Sequence, residues 1–189
     1  MFSGFQPTVQ LAHCWLDNYL FPGATAVDAT VGNGHDTLYL ARKVGCSGKV
    51  YGFEIQEKAL NNASHLLKDE GFAEIVEFFP TGHENLADCV KNEVDVIVFN
   101  LGYLPGGDRS TITRPNTTIK AVTDGLDLLK QGGAICLVIY TGHPGGEEEQ
   151  SQLEQFLGNL DKQRFCVSKL NFLNRDKAPY IIMVEKSLR

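Results

Sequence analysis

No apolar run in this 189-residue chain approaches the roughly 18 residues that a membrane-crossing helix needs. The N-terminus also lacks the basic-then-apolar layout of a secretion signal, so neither a membrane nor an exported protein is expected. The five cysteines, Cys14, Cys46, Cys89, Cys136 and Cys166, are odd in number and widely spread, which leaves no disulfide framework and no CxxC knuckle to read. No His or Cys spacing supports a metal. A reducing, cytoplasmic home is the simplest expectation, or an organelle if a transit peptide precedes this sequence. Internal repeats, low-complexity tracts and interdomain linkers are absent too, and at roughly 150 residues per domain the length holds one core, so 1–189 reads as a single domain. Positive charge is in deficit, with 17 Lys plus Arg against 23 Asp plus Glu and a net charge of −6. That balance argues against bulk coating of nucleic acid. It does not say where the basic residues sit.

What is present is a packed globular composition, 43% hydrophobic and 21% charged, in which short β-rich runs alternate with helical patterns. Strands are expected at 24–29, 49–55, 75–79, 94–100 and 134–140, each nearly continuous in apolar residues because helices cover both faces. Helices are expected at 7–20, 36–44, 57–69, 84–91, 116–130 and 146–160. The runs 165–172 and 180–185 read as a terminal hairpin. A hairpin at that end forces one antiparallel strand into an otherwise parallel seven-stranded sheet, the layout of the Rossmann-like class I methyltransferase fold. The long loop 102–115, with Pro105, Gly106, Gly107 and Pro115, is of a length that compact domains reserve for function.

Candidate ligand residues gather where the first strand meets the next helix, in Val27-Asp28-Ala29-Thr30-Val31-Gly32-Asn33-Gly34-His35-Asp36-Thr37. Gly32 and Gly34 let backbone approach a ligand with no Cβ in the way and turn N–H groups toward it. Thr30, Asn33 and Thr37 are flanking candidates in the same turn. Glu54, at the end of the second strand and followed by Gln56, is placed to accept the hydroxyls of a ribose. A nicotinamide cofactor is the rival reading, since the run is a GxGxxG with Thr at its third glycine. Asp28 and Asp36 weigh against it: Asp28 would crowd a pyrophosphate but can pair with the ammonium of S-adenosylmethionine, which carries a sulfonium and no phosphate, and Asp36 in the first turn of the next helix would likewise repel phosphate. His83, after the third strand, is either an adenine contact or an exposed residue at a helix start.

The tip of the fourth strand carries Asn100-Leu101-Gly102-Tyr103, similar to the Asn-Pro-Pro-Tyr motif of methyltransferases that act on amino nitrogens. An attacking nitrogen must aim its lone pair at the methyl group. An Asn carbonyl with a backbone carbonyl near Leu101 or Gly102 can hold its N–H groups in that direction, and Tyr103 can stack on the ring that bears the nitrogen. The plain alternative is an Asn capping a turn and a Tyr packed on the sheet.

Together, the Asp28–Thr37 run, Asn100-Leu101-Gly102-Tyr103-Leu104-Pro105-Gly106-Gly107-Asp108, and Tyr140-Thr141-Gly142-His143-Pro144-Gly145-Gly146 with its following Glu147-Glu148-Glu149 resemble the signatures of one family. It is the tRNA 5-aminomethyl-2-thiouridine methyltransferase family, long labelled rRNA methylases. The resemblance spans essentially the whole chain. It implies methyl transfer from S-adenosylmethionine to the aminomethyl nitrogen of the wobble uridine, giving 5-methylaminomethyl-2-thiouridine, and the anticodon stem-loop of tRNA as partner. Such an amine is mostly protonated near neutral pH, so a base is needed, and Asp108 and His143 are the candidates.

An acidic protein must hold RNA locally. Lys162, Arg164, Lys169, Arg175 and Lys177 stand against Asp176 alone in one segment, and Arg109 and Arg114 lie near Tyr103, so both groups are expected to contact phosphates. Glu147-Glu148-Glu149 reads as a solvated, dipole-complementing helix start. With no separate RNA-binding domain, recognition falls to the catalytic domain's loops or to the second subunit of a homodimer. The competing functions are methylation of rRNA or of a protein amine or amide, and cofactor binding without catalysis.

Overall fold

The alternating apolar and amphipathic segments assemble, in a computed structural model that describes residues 7–102, 112–142 and 145–189, around one seven-stranded sheet. In chain order the elements are α1 (Thr8–Leu16), β1 (Thr25–Asp28), α2 (His35–Val44), β2 (Lys49–Phe53), α3 (Glu57–Asp69), β3 (Val76–Phe79), α4 (Leu86–Cys89), β4 (Val94–Leu101), α5 (Pro115–Leu128), β5 (Leu129–Ile139), α6 (Gly146–Gly158), β6 (Phe165–Leu170) and β7 (Tyr180–Lys186). The strand order is β3-β2-β1-β4-β5-β7-β6. Strands β1 to β5 run parallel, and β7 alone is antiparallel, inserted between β5 and β6. This is the expected class I methyltransferase topology.

The central strand explains why the apolar runs are continuous. In β4, Val96 and Val98 face a core built with Ala12 and Leu16 of α1, Leu40 and Val44 of α2 and Leu67 of α3. Alternate residues Ile97, Phe99 and Leu101 face a second core with Leu86, Val122, Leu126, Leu153 and Leu157 from α4, α5 and α6. Both faces are therefore dry, and each fully buried large apolar side chain contributes about 2 kcal/mol of transfer free energy.

Several boundaries differ from expectation, each with a local cause. Helix α1 stops at Leu16 because the Asn18 amide donates to the Trp15 carbonyl and turns the chain early. Helix α5 ends at Leu128, and β5 begins at once, passing through Gly132 at φ +75° and Gly133, where an added Cβ would lie 2.7 Å from the Asp95 carbonyl oxygen. The β4–β5 register shifts at that approach, between Val94 and Val96. The expected helix over 84–91 resolves into a 3-10 turn, His83–Asn85, and the short α4. Among the described residues no helix is long and apolar enough to cross a membrane.

Candidate functional site

The sheet order reverses between β1 and β4, and the carboxyl ends of those strands diverge into a cavity of about 710 Å³, a volume suited to a cofactor-sized ligand. Thr30, Gly32, Asn33 and Asp36 line it from the β1–α2 turn. Glu54 and Gln56 line it from the end of β2, His83 from the turn after β3, and Asn100, Leu101 and Gly102 from the tip of β4. Arg114 and Tyr140 complete the opposite side. Fourteen of the eighteen site residues named from sequence are thus accounted for by position once Gly34, Thr37 and Asp28 are added below. Tyr103, Asp108, Arg109 and His143 lie outside the described residues.

Asp28 stands apart from the cavity lining. Its side chain is fully buried and does not line the cavity, because it accepts hydrogen bonds from the Thr30 N–H (3.1 Å) and the Thr37 hydroxyl (2.6 Å) behind the turn. Burial and the neighbouring Asp36 charge push its carboxyl up to about 7. It therefore fastens β1 to the first turn of α2, and of the two aspartates in this turn it is Asp36 that lines the cavity. Thr37 shares this interior place. Gly34 is likewise an element of packing: at φ +85°, its added Cβ would stand 2.8 Å from the Ala63 Cβ and 2.9 Å from the Ala63 Cα in α3.

Glu54 reaches the wall already organised. It accepts the Gly32 N–H at 2.9 Å and the Gln56 N–H at 2.8 Å, one on each carboxylate oxygen, and keeps further lone pairs for a ligand. Asn33 is braced by the Asn62 amide at 3.3 Å. His83 is buried, which removes the reading of an exposed helix start. Its Nδ1 donates to the Ala29 carbonyl at 3.2 Å and burial lowers its basicity, so Nε2 is a bare acceptor with no partner among the described residues. A ligand that brings a donor there would satisfy it.

At the tip of β4 the Thr30 hydroxyl accepts the Asn100 backbone N–H at 2.7 Å, and the Asn100 side-chain Nδ2 donates to Asp36 Oδ2 at 3.2 Å. The Leu101 carbonyl accepts from the Tyr140 N–H at 3.2 Å, and the Gly102 carbonyl from the Thr113 N–H at 3.1 Å. Those two main-chain carbonyls, expected to hold substrate, are thus engaged in joining β4 to its neighbours. The Asn100 side-chain oxygen is the acceptor left without a partner there among the described residues.

Sequence reasoning missed two contributors. His13 of α1 places Nε2 2.8 Å from Asp36 Oδ1, a contact across 23 positions that no local pattern announces. Glu149 is buried and accepts the Thr113 and Thr118 hydroxyls at 2.7 Å each, so of the acidic run only Glu147 and Glu148 are solvated. The basic segment also divides. Lys162 and Arg164 precede β6, whereas Arg175 and Lys177 follow it in the hairpin at the cavity end of the sheet. Lys169 is paired with Glu154 at 2.8 Å, and Lys177 lies 3.7 Å from Glu147.

Residues 50–186 match the family described as "Putative rRNA methylase". The chain belongs to this family. A tRNA (mnm(5)s(2)U34)-methyltransferase of Arabidopsis thaliana, named chloroplastic, is 38% identical over 194 residues, covering 97% of this chain and 70% of that protein. The crystal structure of a "putative rRNA-methylase" from Clostridium thermocellum superposes with a TM-score of 0.94 at 39% identity, over 96% of this chain and 98% of that one. A Streptococcus mutans "putative methyltransferase", solved in complex with SAH, gives 0.87 at 33% identity over 96% and 99%. The protein is an S-adenosylmethionine-dependent methyltransferase. The methyltransferase cavity fits that cofactor chemically: Asp36, Glu54 and Glu84 line it against Arg114, with no lysine among the described lining residues. A cationic ligand without phosphate matches that lining. No cluster of His, Cys, Asp or Glu suited to a metal occurs among the described residues.

Proposed function

We propose that this methyltransferase acts on tRNA, methylating the aminomethyl nitrogen of 5-aminomethyl-2-thiouridine at the wobble position to give 5-methylaminomethyl-2-thiouridine. The observation that carries the reading is the unfilled Asn100 carbonyl at the cavity wall, in a chain similar along 97% of its length to a relative named for that modification. An alkylammonium has no lone pair, and it must lose a proton before it can attack. In the neutral amine, one N–H donates to Asn100 Oδ1, which fixes where the lone pair points.

S-adenosylmethionine supplies an electrophilic methyl group on sulfur. Glu54 would hold its ribose hydroxyls, the bare His83 Nε2 would accept from its adenine amino group, and Asp36 supplies negative charge on the same wall. Tyr103 is assigned to the uracil ring, Asp108 or His143 to the proton, and Arg109 and Arg114 to anticodon-loop phosphates. Arg114 is exposed at the cavity mouth, in keeping with that role.

The test is methyl transfer with labelled cofactor to tRNA bearing the aminomethyl precursor, with rRNA and protein fractions alongside. The reading expects labelled 5-methylaminomethyl-2-thiouridine in the tRNA and a loss of at least about tenfold in turnover for Asn100→Ala. Label confined to rRNA or protein, or normal turnover in Asn100→Ala at saturating cofactor, refutes it.

A further inference from the structure

The cavity wall contains a hydrogen-bonded chain that begins outside the cofactor turn. His13 Nε2 lies 2.8 Å from Asp36 Oδ1, and Asp36 Oδ2 lies 3.2 Å from Asn100 Nδ2. An ionised carboxylate only accepts, so both neighbours must present N–H. For Asn100 this has a directional consequence. With its NH2 turned to Asp36, the carbonyl oxygen is the end of the amide turned away from Asp36. A flipped amide would set an oxygen against the carboxylate and offer NH2, a donor, to an amine whose own N–H groups also donate.

His13 itself is held with little freedom. Its ring stacks on Tyr39 at 3.7 Å between centroids and 2° between planes. The Tyr39 hydroxyl lies 2.8 Å from the His13 carbonyl oxygen and 2.7 Å from Asp17 Oδ1, and Asp17 is bridged by Lys43 at 2.6 Å. The ring is therefore clamped between α1 and α2, and its Nε2 is aimed at one carboxylate oxygen. Solvated surface histidines are not built this way.

We propose that His13 is a positioning residue for methyl transfer: through Asp36 it locks the Asn100 amide with its carbonyl presented to the incoming amine. The inference rests on the amine-methylation reading above and adds to it the residue that sets the acceptor. No covalent step is assigned to His13. Its hydrogen bond keeps Asp36 in the rotamer that can hold Asn100, and the entropy of that arrangement is met on folding, before substrate arrives.

The experiment has a binding-free arm and a kinetic arm. In the first, side-chain 15N amide resonances of the protein without substrate are compared for wild type, His13→Ala and His13→Gln, the Asn100 pair being assigned by its disappearance in Asn100→Ala. The proposal expects a rigid Asn100 NH2 in wild type, averaging to a mobile one in His13→Ala, and restored order in His13→Gln, whose Nε2–H can reach the same oxygen. An Asn100 signal indifferent to His13→Ala overturns it. In the second arm, kcat falls about tenfold or more in His13→Ala, while the tRNA KM and the S-adenosylhomocysteine Kd stay within about threefold, and His13→Gln recovers most of the loss. In an Asn100→Ala background, His13→Ala costs nothing further. Additive losses, or a change confined to KM, overturn the proposal. If wild type transfers nothing to the aminomethyl tRNA, the amine reading fails with the presented role of the carbonyl, and the NMR arm still decides whether His13 holds Asn100.

Discussion

Replacing Asp28 with Asn should change the pH dependence of stability more than its value at any one pH. The Asp28 carboxyl is fully buried beside Asp36 and is pushed from 3.8 up to about 7 in the folded protein. A raised carboxyl is one that the fold prefers protonated. Its contribution is complete below the unfolded value near 3.8 and is lost progressively as pH rises toward 7. At about 1.4 kcal/mol per pH unit across that window, the wild type forfeits up to about 4 kcal/mol that Asp28→Asn, with nothing to ionise, keeps. The substitution also disturbs the bonds to Thr30 and Thr37, at a pH-independent cost of about 1–3 kcal/mol. Urea unfolding of the cofactor-free protein, wild type and variant, at half-unit steps from pH 4.5 to 8 reads the difference directly. The variant should begin less stable and gain on the wild type up to pH 7, then run parallel. A stability difference that stays flat across the series refutes the account of Asp28 as a buried fastening.

Three further outcomes follow from the same geometry. Gly34→Ala adds a Cβ at φ +85° against the backbone of Ala63, so it should destabilise by about 2–4 kcal/mol, measured by chemical denaturation; a neutral result would mean that α3 yields freely. Glu149→Ala strips the acceptor from the Thr113 and Thr118 hydroxyls and should cost about 3 kcal/mol, with Glu149→Gln recovering part of it; equal stabilities would show that the two hydroxyls find other partners. Replacing Arg114 with Gln should flatten the dependence of log tRNA affinity on log salt by about 0.7, and an unchanged slope removes Arg114 from the RNA face.

The strands were readable because burial on both faces makes a parallel sheet spell itself as nearly uninterrupted apolar runs, as β4 does from Val96 to Phe99. Glu54 and Asn100 were readable as cavity-wall residues because they stand at the carboxyl ends of β2 and β4, the end at which open parallel sheets receive ligands. What escaped is what depends on packing angle. Asp28 has the composition of a cofactor ligand, yet the last pleat of β1 turns it inward to Thr37. The three glutamates of α6 look alike in sequence, but a rotation of about 100° per residue points one of them, Glu149, into the interior. The basic segment looked continuous because the sequence does not reveal that β6 carries the chain from one end of the sheet to the other, about 20 Å away. His13 was hidden by distance along the chain, since only the docking of α1 against α2 brings it to Asp36.

The insertion of β7 between β5 and β6 governs how the molecule comes apart. Among the described strands, β6 is hydrogen-bonded to the sheet through β7 alone, so it has no means of remaining when β7 leaves. The two strands make one breathing unit, and their amides should exchange with deuterium at a common rate under native conditions, slower than α4 and faster than β4. Since Tyr180 and the hairpin sit over the same end of the sheet as the catalytic cleft, that rate also sets how often this flank of the cleft is momentarily undone.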